Sequence, residues 1–131
     1  MSERLLLDTH AMVWAATQPD RLGDVARNAI EEPTNVVLVS AASAWELSTK
    51  FRLGRFPEAE PLVAQYQLVV EQLRAENLPI EAAHALRAGS LVWSHRDPFD
   101  RMLAAQALLS DAVLVTRDRA FAELGGLRLV W

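Results

Sequence analysis

The sequence contains no cysteine, and this absence excludes two ways of stabilising a small protein. Neither a disulfide framework nor a thiolate metal site can form, and a reducing, cytoplasmic compartment is the expected location. The fold must therefore rest on its apolar core. At 131 residues and 51% hydrophobic composition, the chain has the size and the apolar content of a single domain spanning residues 1–131.

Long hydrophobic runs and an excess of positive charge are also missing. Apolar runs such as Val36 to Val39 are far too short to cross a bilayer, so we expect a soluble protein with no membrane partner. No Gly-rich phosphate loop exists, which argues against a nucleotide-binding domain. The formal charge of −4 argues against a nucleic-acid partner, unless clustered acids bind divalent cations that reverse the local field.

Short runs of Leu and Val alternate with longer segments of helical periodicity. Strands are predicted at Leu5 to Leu7, Val36 to Val39, Val113 to Val115 and Leu127 to Val130, with a short edge strand at Leu78 to Ile80. Helices are predicted around residues 11–16, 24–32, 42–52, 62–76, 82–91 and 99–109. Because parallel neighbours are normally joined by a helix, this alternation predicts an α/β fold with a central parallel sheet flanked by helices on both faces.

Polar side chains follow the predicted strands at one edge of this sheet. Asp8 directly follows the first strand, and Thr116 and Asp118 follow the strand at Val113 to Val115. Ser40 ends another strand at the same edge, where it could orient a carboxylate or a water, and the next helix carries Glu46. Ligands of open α/β sheets bind outside the carboxyl ends of the strands, so this edge is the expected functional crevice.

Helical spacing places a further acid on an apolar face. Asp100 shares the stripe formed by Leu103, Ala104, Ala107 and Leu108, so it points inward. In the helix of Glu46, the face toward the sheet is predicted to be Ala42, Trp45, Thr49 and Leu53, with Glu46 beside that face. An unpaired buried carboxylate is costly, and a compensating group is therefore expected.

Each acid also has a purely structural explanation. Asp8 could cap a helix, Asp118 could close an Asx-turn, and Asp97 before Pro98 is a good N-cap with Asp100 at N3. We favour capping for Asp97. Four acids from separate elements would nevertheless repel one another without a cation, and hard oxygen ligands favour Mg²⁺ or Mn²⁺.

Four short motifs occur in order along the chain: LLLDTH at 5–10, AWEL at 44–47, DPFDRMLAAQA at 97–107 and LVTRD at 114–118. In order, spacing and position relative to the strands, they resemble the PIN domain in its VapC-type toxin branch, over nearly the whole chain. The resemblance implies a metal-dependent endoribonuclease, the toxin of a type II toxin–antitoxin system. It also implies an RNA substrate, a VapB-like antitoxin protein as partner, and a homodimer.

The same resemblance implies which residues act. Asp8, Glu46, Asp100 and Asp118 match the acidic quartet that binds Mg²⁺, with Mn²⁺ as substitute, and Thr116 matches a polar position beside the metal. Asp97 and Ser40 are accessory candidates, and Asp97 remains an alternative to Asp100 as the third ligand. The candidates for contact with the RNA backbone are basic: Lys50, Arg52, Arg55, Arg96, Arg101, Arg117 and Arg119. Arg101 could instead pair with a buried acid.

Two other functions remain to be weighed. A phosphatase or phosphotransfer domain would use Asp8 as its nucleophile, but the second aspartate expected two residues later is missing and the only lysine, Lys50, is badly placed. A non-catalytic protein-binding module with the same fold is the other alternative. Loss of one of the four acids would favour that module, and all four are present.

Overall fold

A computed structural model describes residues 2–131, and within them it shows a five-stranded sheet with helices on both faces. The strands are β1 (Arg4–Leu7), β2 (Val36–Ser40), β3 (Ala75–Leu78), β4 (Val113–Val115) and β5 (Leu129–Val130). The helices are α1 (Thr9–Thr17), α2 (Asp24–Glu31), α3 (Ala41–Arg52), α4 (Glu60–Ala64), α5 (Tyr66–Gln72), α6 (Ala82–Ser90) and α7 (Pro98–Leu109). Short 3₁₀ helices occur at Pro19–Arg21, Pro57–Ala59 and Arg119–Glu123.

The strand order is β3-β2-β1-β4-β5, and every pairing is parallel. Strand β1 lies in the middle of the sheet, β2 and β3 lie on one side of it, and the chain then crosses over to add β4 and β5 on the other side. The reversal lies between β1 and β4, whose ends are level because Leu7 pairs with Val115. In open α/β sheets this reversal leaves a crevice outside the carboxyl ends of the two strands.

Alternate strand residues pack on opposite faces of the sheet. Leu5 and Leu7 belong to a core that includes residues of α1, α2 and α5, whereas Leu6 packs with Leu114 and α7. Both faces are therefore buried, as the uninterrupted Leu and Val runs predict for parallel strands. The predicted fold class is confirmed. No helix within residues 2–131 has both the length and the apolar character needed to cross a membrane.

The predicted helix over residues 62–76 is wrong. The structure has two short helices there, α4 and α5, separated at Gln65, and the chain then enters β3. Apolar residues at helical spacing continue across the break, which is why one helix was expected, and Leu62, Val69 and Val70 are all buried. Arg74, with φ of 53°, turns the chain after α5, so the edge strand starts earlier than predicted. The last strand is also shorter than predicted.

The predicted orientation of α3 is wrong as well. Trp45 is 60% exposed and Leu53 is 48% exposed, so neither faces the sheet. The buried face carries Ala42, Ser43, Glu46 and Leu47. Ser40 fixes the start of the helix by accepting a hydrogen bond from the backbone N–H of Ala42 at 3.0 Å. This start turns Glu46 inward, so that it is buried more completely than the sequence indicated.

Candidate active site

One cavity at the carboxyl edge of the sheet brings the predicted acids together. It has a volume of about 230 Å³ and lies at the reversal of strand order. Its lining includes Asp8 after β1, Glu46 of α3, Asp100 of α7, and Asp118 after β4. The other lining residues are Thr9, His10, Lys50, Asp97 and Phe121. The structure thus gathers acids from four separate segments into a shared pocket.

Three of these aspartates also cap helices. Asp8, Asp97 and Asp118 are the N-caps of α1, α7 and the 3₁₀ helix at Arg119–Glu123. The donors are the backbone N–H groups of Ala11 at 2.8 Å, Phe99 at 2.8 Å and Ala120 at 2.9 Å. The capping bonds go to Oδ1 in every case. A second carboxylate oxygen remains on each residue, so capping is compatible with binding a cation.

Glu46 is held by two side chains. The Thr9 hydroxyl donates to Oε1 of Glu46 at 2.6 Å, and Lys50 forms an ion pair with Oε2. The Thr9 hydroxyl also lies 3.0 Å from the hydroxyl of Ser43. Sequence reasoning did not identify Thr9 or Ser43 as site residues. The available signals were the position of Thr9 directly after Asp8 and the spacing of Ser43, three residues before Glu46 on one helical face.

Asp100 is paired with a histidine. Its Oδ2 lies 2.7 Å from Nε2 of His95, in the segment that leads into α7. Burial raises the pKa of Asp100 to about 6; the hydrogen bond from His95 opposes this shift, while the negative charges of Asp97 and Glu46 add to it. Burial and the neighbouring carboxylates therefore disfavour the ionised form of Asp100.

The pKa of Asp8 is raised for the same reason. Burial raises its pKa, the hydrogen bonds from the Thr116 hydroxyl and the Ala11 N–H oppose the rise, and the charge of Glu46 adds to it. Thr116 also accepts a hydrogen bond from the backbone N–H of Asp118 at 3.0 Å, so it lies between two of the acids. The role of Thr116 beside a metal stays a prediction.

Hard carboxylate oxygens with raised pKa values fit a divalent cation such as Mg²⁺. Among residues 2–131, however, no group of three histidine or acidic side chains is arranged closely enough to enclose an ion. The acids are instead compensated by protein groups, with Lys50 and Thr9 on Glu46 and His95 on Asp100.

Arg101 differs from both sequence interpretations, since it neither lines the acidic cavity nor pairs with a buried acid. Its guanidinium donates to four backbone carbonyls in and after α6. The acceptors are the carbonyl oxygens of Ala88 at 2.9 Å, Leu91 at 2.7 Å, Trp93 at 3.0 Å and His95 at 2.9 Å. Arg101 therefore fixes the segment that carries His95, and an RNA contact is not supported.

Ser40 also differs from its predicted accessory role. Besides capping α3, its hydroxyl donates to Oε1 of Gln106 at 2.5 Å, and both residues are fully buried. The side-chain amide nitrogen of Gln106 donates a hydrogen bond to the carbonyl oxygen of Pro79 at 3.2 Å. Ser40 thus ties α7 to the end of β2 and does not line the acidic cavity. Gln106 was missed, although a glutamine inside an alanine run was a usable signal.

The remaining basic candidates differ in whether they line a cavity near the acids. Lys50 lines the acidic cavity, and Arg117 lines an adjoining cavity together with Asp8 and Asp118. Arg119 lines a third cavity beside Arg117. The others, which line none of these cavities, are exposed: Arg52, Arg55 and Arg96.

Comparison with known proteins gives a consistent result. The PIN domain family model matches residues 5–127. Ribonuclease VapC22 of Mycobacterium tuberculosis is 34% identical over 116 residues, which cover 88% of this chain and 87% of that protein. VapBC2 from Rickettsia felis, solved bound to a promoter DNA fragment, matches with a TM-score of 0.69 at 20% identity and covers 97% of both chains. VapBC-1 of nontypeable Haemophilus influenzae matches with a TM-score of 0.67 at 19% identity, and the match covers 97% of this chain and 96% of that one.

Proposed function

This chain belongs to the PIN domain family, and on that premise we propose that it is a metal-dependent endoribonuclease, the toxin of a type II toxin–antitoxin system. The identity with a ribonuclease over most of both chains supports this activity. The observation that carries the proposal is the shared cavity of Asp8, Glu46, Asp100 and Asp118 at the reversal of strand order.

In this proposal, Asp8, Glu46 and Asp100 hold one Mg²⁺, for which Mn²⁺ can substitute, and Asp118 closes the site or supports a second ion. Such an ion would lower the pKa of a water and neutralise charge on the phosphate oxygens. The protein's own groups orient these acids. Thr116 and the N–H of Ala11 hold Asp8, and Thr9 holds Glu46.

The substrate and partners follow from the same family. RNA would approach over Lys50 and Arg117, which line the two cavities at the acids, with Arg96 and Arg119 further out. The similar solved structures are VapBC assemblies, which supports a VapB-like antitoxin as partner. We further propose a homodimer in the cytoplasm.

Cleavage of a labelled RNA with Mg²⁺, Mn²⁺ or EDTA tests the function. We expect cleavage that requires the metal and that Asp8→Asn reduces to background while the fold is retained. Asp20→Asn is the matched control, because Asp20 is fully exposed and lies outside the cavity. Equal cleavage by Asp8→Asn and the wild type would contradict the assignment. If the wild type neither cleaves RNA nor binds Mn²⁺ at millimolar concentration, a protein-docking role is favoured instead.

A further inference from the structure

A second cavity adjoins the acidic one and has a different lining. It has a volume of about 280 Å³, and its lining residues are Asp8, His10, Trp14, Arg117, Asp118 and Trp131. Because Asp8 and Asp118 line both cavities, a group bound in the second cavity lies directly beside the acids. Its other four side chains are aromatic or cationic. We name it the Trp–Arg cavity.

Two arginines lie against Trp14 in this region. The guanidinium carbons of Arg21 and Arg117 are 4.4 and 4.7 Å from the centroid of the Trp14 ring, and Trp14 itself is 3% exposed. Cation–π contacts of this kind hold a guanidinium in place without neutralising it. Within residues 2–131, the ion-paired arginines are Arg27 and Arg128, not these two. Their N–H donors thus remain suited to a phosphate.

Trp131 forms another wall of the cavity, and its position depends on a glycine. Its ring packs edge-on against Trp14 at 5.8 Å. Gly23 is the N-cap of α2, where Ser, Thr, Asp or Asn would give a better cap. A Cβ on Gly23 would lie 2.6 Å from the carbonyl carbon of Trp131 and 2.7 Å from its Cδ1. Because φ of Gly23 is −62°, the glycine is needed for this close approach and not for its backbone conformation.

We propose that the Trp–Arg cavity binds one nucleotide of single-stranded RNA, next to the scissile bond. Arg117 contacts a phosphate of that nucleotide, and the base stacks on Trp131. The inference rests on the proposed nuclease function. Base stacking on aromatic side chains is the usual means of holding unpaired RNA, whereas bases inside a duplex are not available for it. With a formal charge of −4, the protein needs such local contacts to bind RNA.

Three variants test the walls of the cavity. Arg117→Ala removes the phosphate contact, Trp131→Ala removes the stacking surface, and Gly23→Ala displaces Trp131 without removing a functional group. For cleavage of an eight-nucleotide single-stranded RNA with Mn²⁺, we expect each to raise KM, by about tenfold for Trp131→Ala. The affinity for Mn²⁺, measured by calorimetry without RNA, should be unchanged in Trp131→Ala and Gly23→Ala, and it should not fall in Arg117→Ala, which removes a positive charge beside Asp8 and Asp118. Arg87→Ala is the charge-matched control, because Arg87 is an exposed residue of α6 outside the Trp–Arg cavity.

A set of RNA octamers, each with an abasic ribose at a different position, shows which base stacks on Trp131. The wild type should lose about tenfold in kcat/KM for the abasic position beside the cleaved bond, and Trp131→Ala should lose nothing further on that substrate. The nucleotide-binding inference would be overturned, and the proposed function left standing, by either of two results. One is an equal loss of kcat/KM at the abasic position in Trp131→Ala and the wild type. The other is a wild-type KM in both Trp131→Ala and Arg117→Ala. A wild type that shows no metal-dependent cleavage would overturn the proposed function with it. Arg117 is exposed, so its variant keeps the test open if Trp131→Ala does not fold.

Discussion

Lys50 forms an ion pair with Glu46, one helical turn earlier on α3, inside the acidic cavity. The Glu46 side chain is only 5% exposed and that of Lys50 is 30% exposed. The ammonium therefore compensates the buried carboxylate from within the protein. It does so on a carboxylate that we propose as a metal ligand, so Lys50 and a divalent cation compete for Glu46.

Replacing Lys50 should separate its two effects. Lys50→Met is expected to raise the affinity for Mn²⁺ because the competing charge is gone. It should lower the stability of the metal-free protein by roughly 1–3 kcal/mol, less than for a fully buried pair because the ammonium is partly solvated. Calorimetric titration with Mn²⁺ and urea unfolding in EDTA measure these effects. The matched control is Lys50→Arg, which keeps the charge. Weaker Mn²⁺ binding by Lys50→Met would contradict the competition.

The raised pKa of Asp100 predicts how stability depends on pH. The carboxyl has an ordinary pKa of 3.8 when unfolded and about 6 when folded, so the folded state binds its proton more tightly. Its contribution to stability is full below the lower value and is lost as pH rises through the higher one. In EDTA, the free energy of unfolding should therefore decrease as the pH is raised from the lower of these two pKa values to the higher one. Asp100→Asn should flatten the fall but not remove it, because the pKa of Asp8 is raised as well.

The same protons compete with a metal. Affinity for Mn²⁺ should rise with pH from about 5 to about 7, because Asp100 must lose its proton to bind the ion. Calorimetry at several pH values should show this rise in the wild type and a weaker rise in Asp100→Asn. An equal rise in Asp100→Asn and the wild type would show that Asp100 is not a ligand, and would favour Asp97 for that role.

Arg101 should behave as a structural clamp. Arg101→Met leaves four carbonyls without their donor and should destabilise the protein by about 2–4 kcal/mol. Arg101→Lys discriminates between the two roles. A lysine keeps the charge that an RNA contact would need but cannot reach four carbonyls with a planar fork. Urea unfolding should therefore show Arg101→Lys to be nearly as unstable as Arg101→Met, whereas near-native stability of Arg101→Lys would contradict the clamp.

The sequence predicts the part of the site that depends on strand ends. Asp8 and Asp118 come within a few residues of buried Leu and Val runs, and parallel strands bring such positions to one edge. Asp100 could also be placed, because it shares a helical stripe with Leu103 and Ala107, and both of these residues are buried. In these cases, local spacing alone determines where the side chain lies.

Other parts of the site depend on contacts that local spacing does not encode. The rotation of α3 was mispredicted because Trp45, although large and apolar, packs against Phe99 at the surface, with ring centroids 4.9 Å apart. The bond between Thr9 and Glu46 joins residues 37 positions apart. The contact between Gly23 and Trp131 spans most of the chain. Such pairs are fixed by the packing of the elements and could not be read from periodicity.

The buried hydroxyl of Thr9 gives a last test of how Glu46 is positioned. Thr9→Val keeps the shape of the side chain but removes the donor that lies 2.6 Å from Oε1. Loss of a bond that orients a metal ligand typically lowers metal affinity or activity by about 10–100-fold. We expect such a loss in Mn²⁺ affinity for Thr9→Val and near-native affinity for Thr9→Ser, which keeps the hydroxyl. If calorimetry gives the two variants equal affinity while both remain folded, Thr9 contributes only packing, and Lys50 alone holds Glu46 in place.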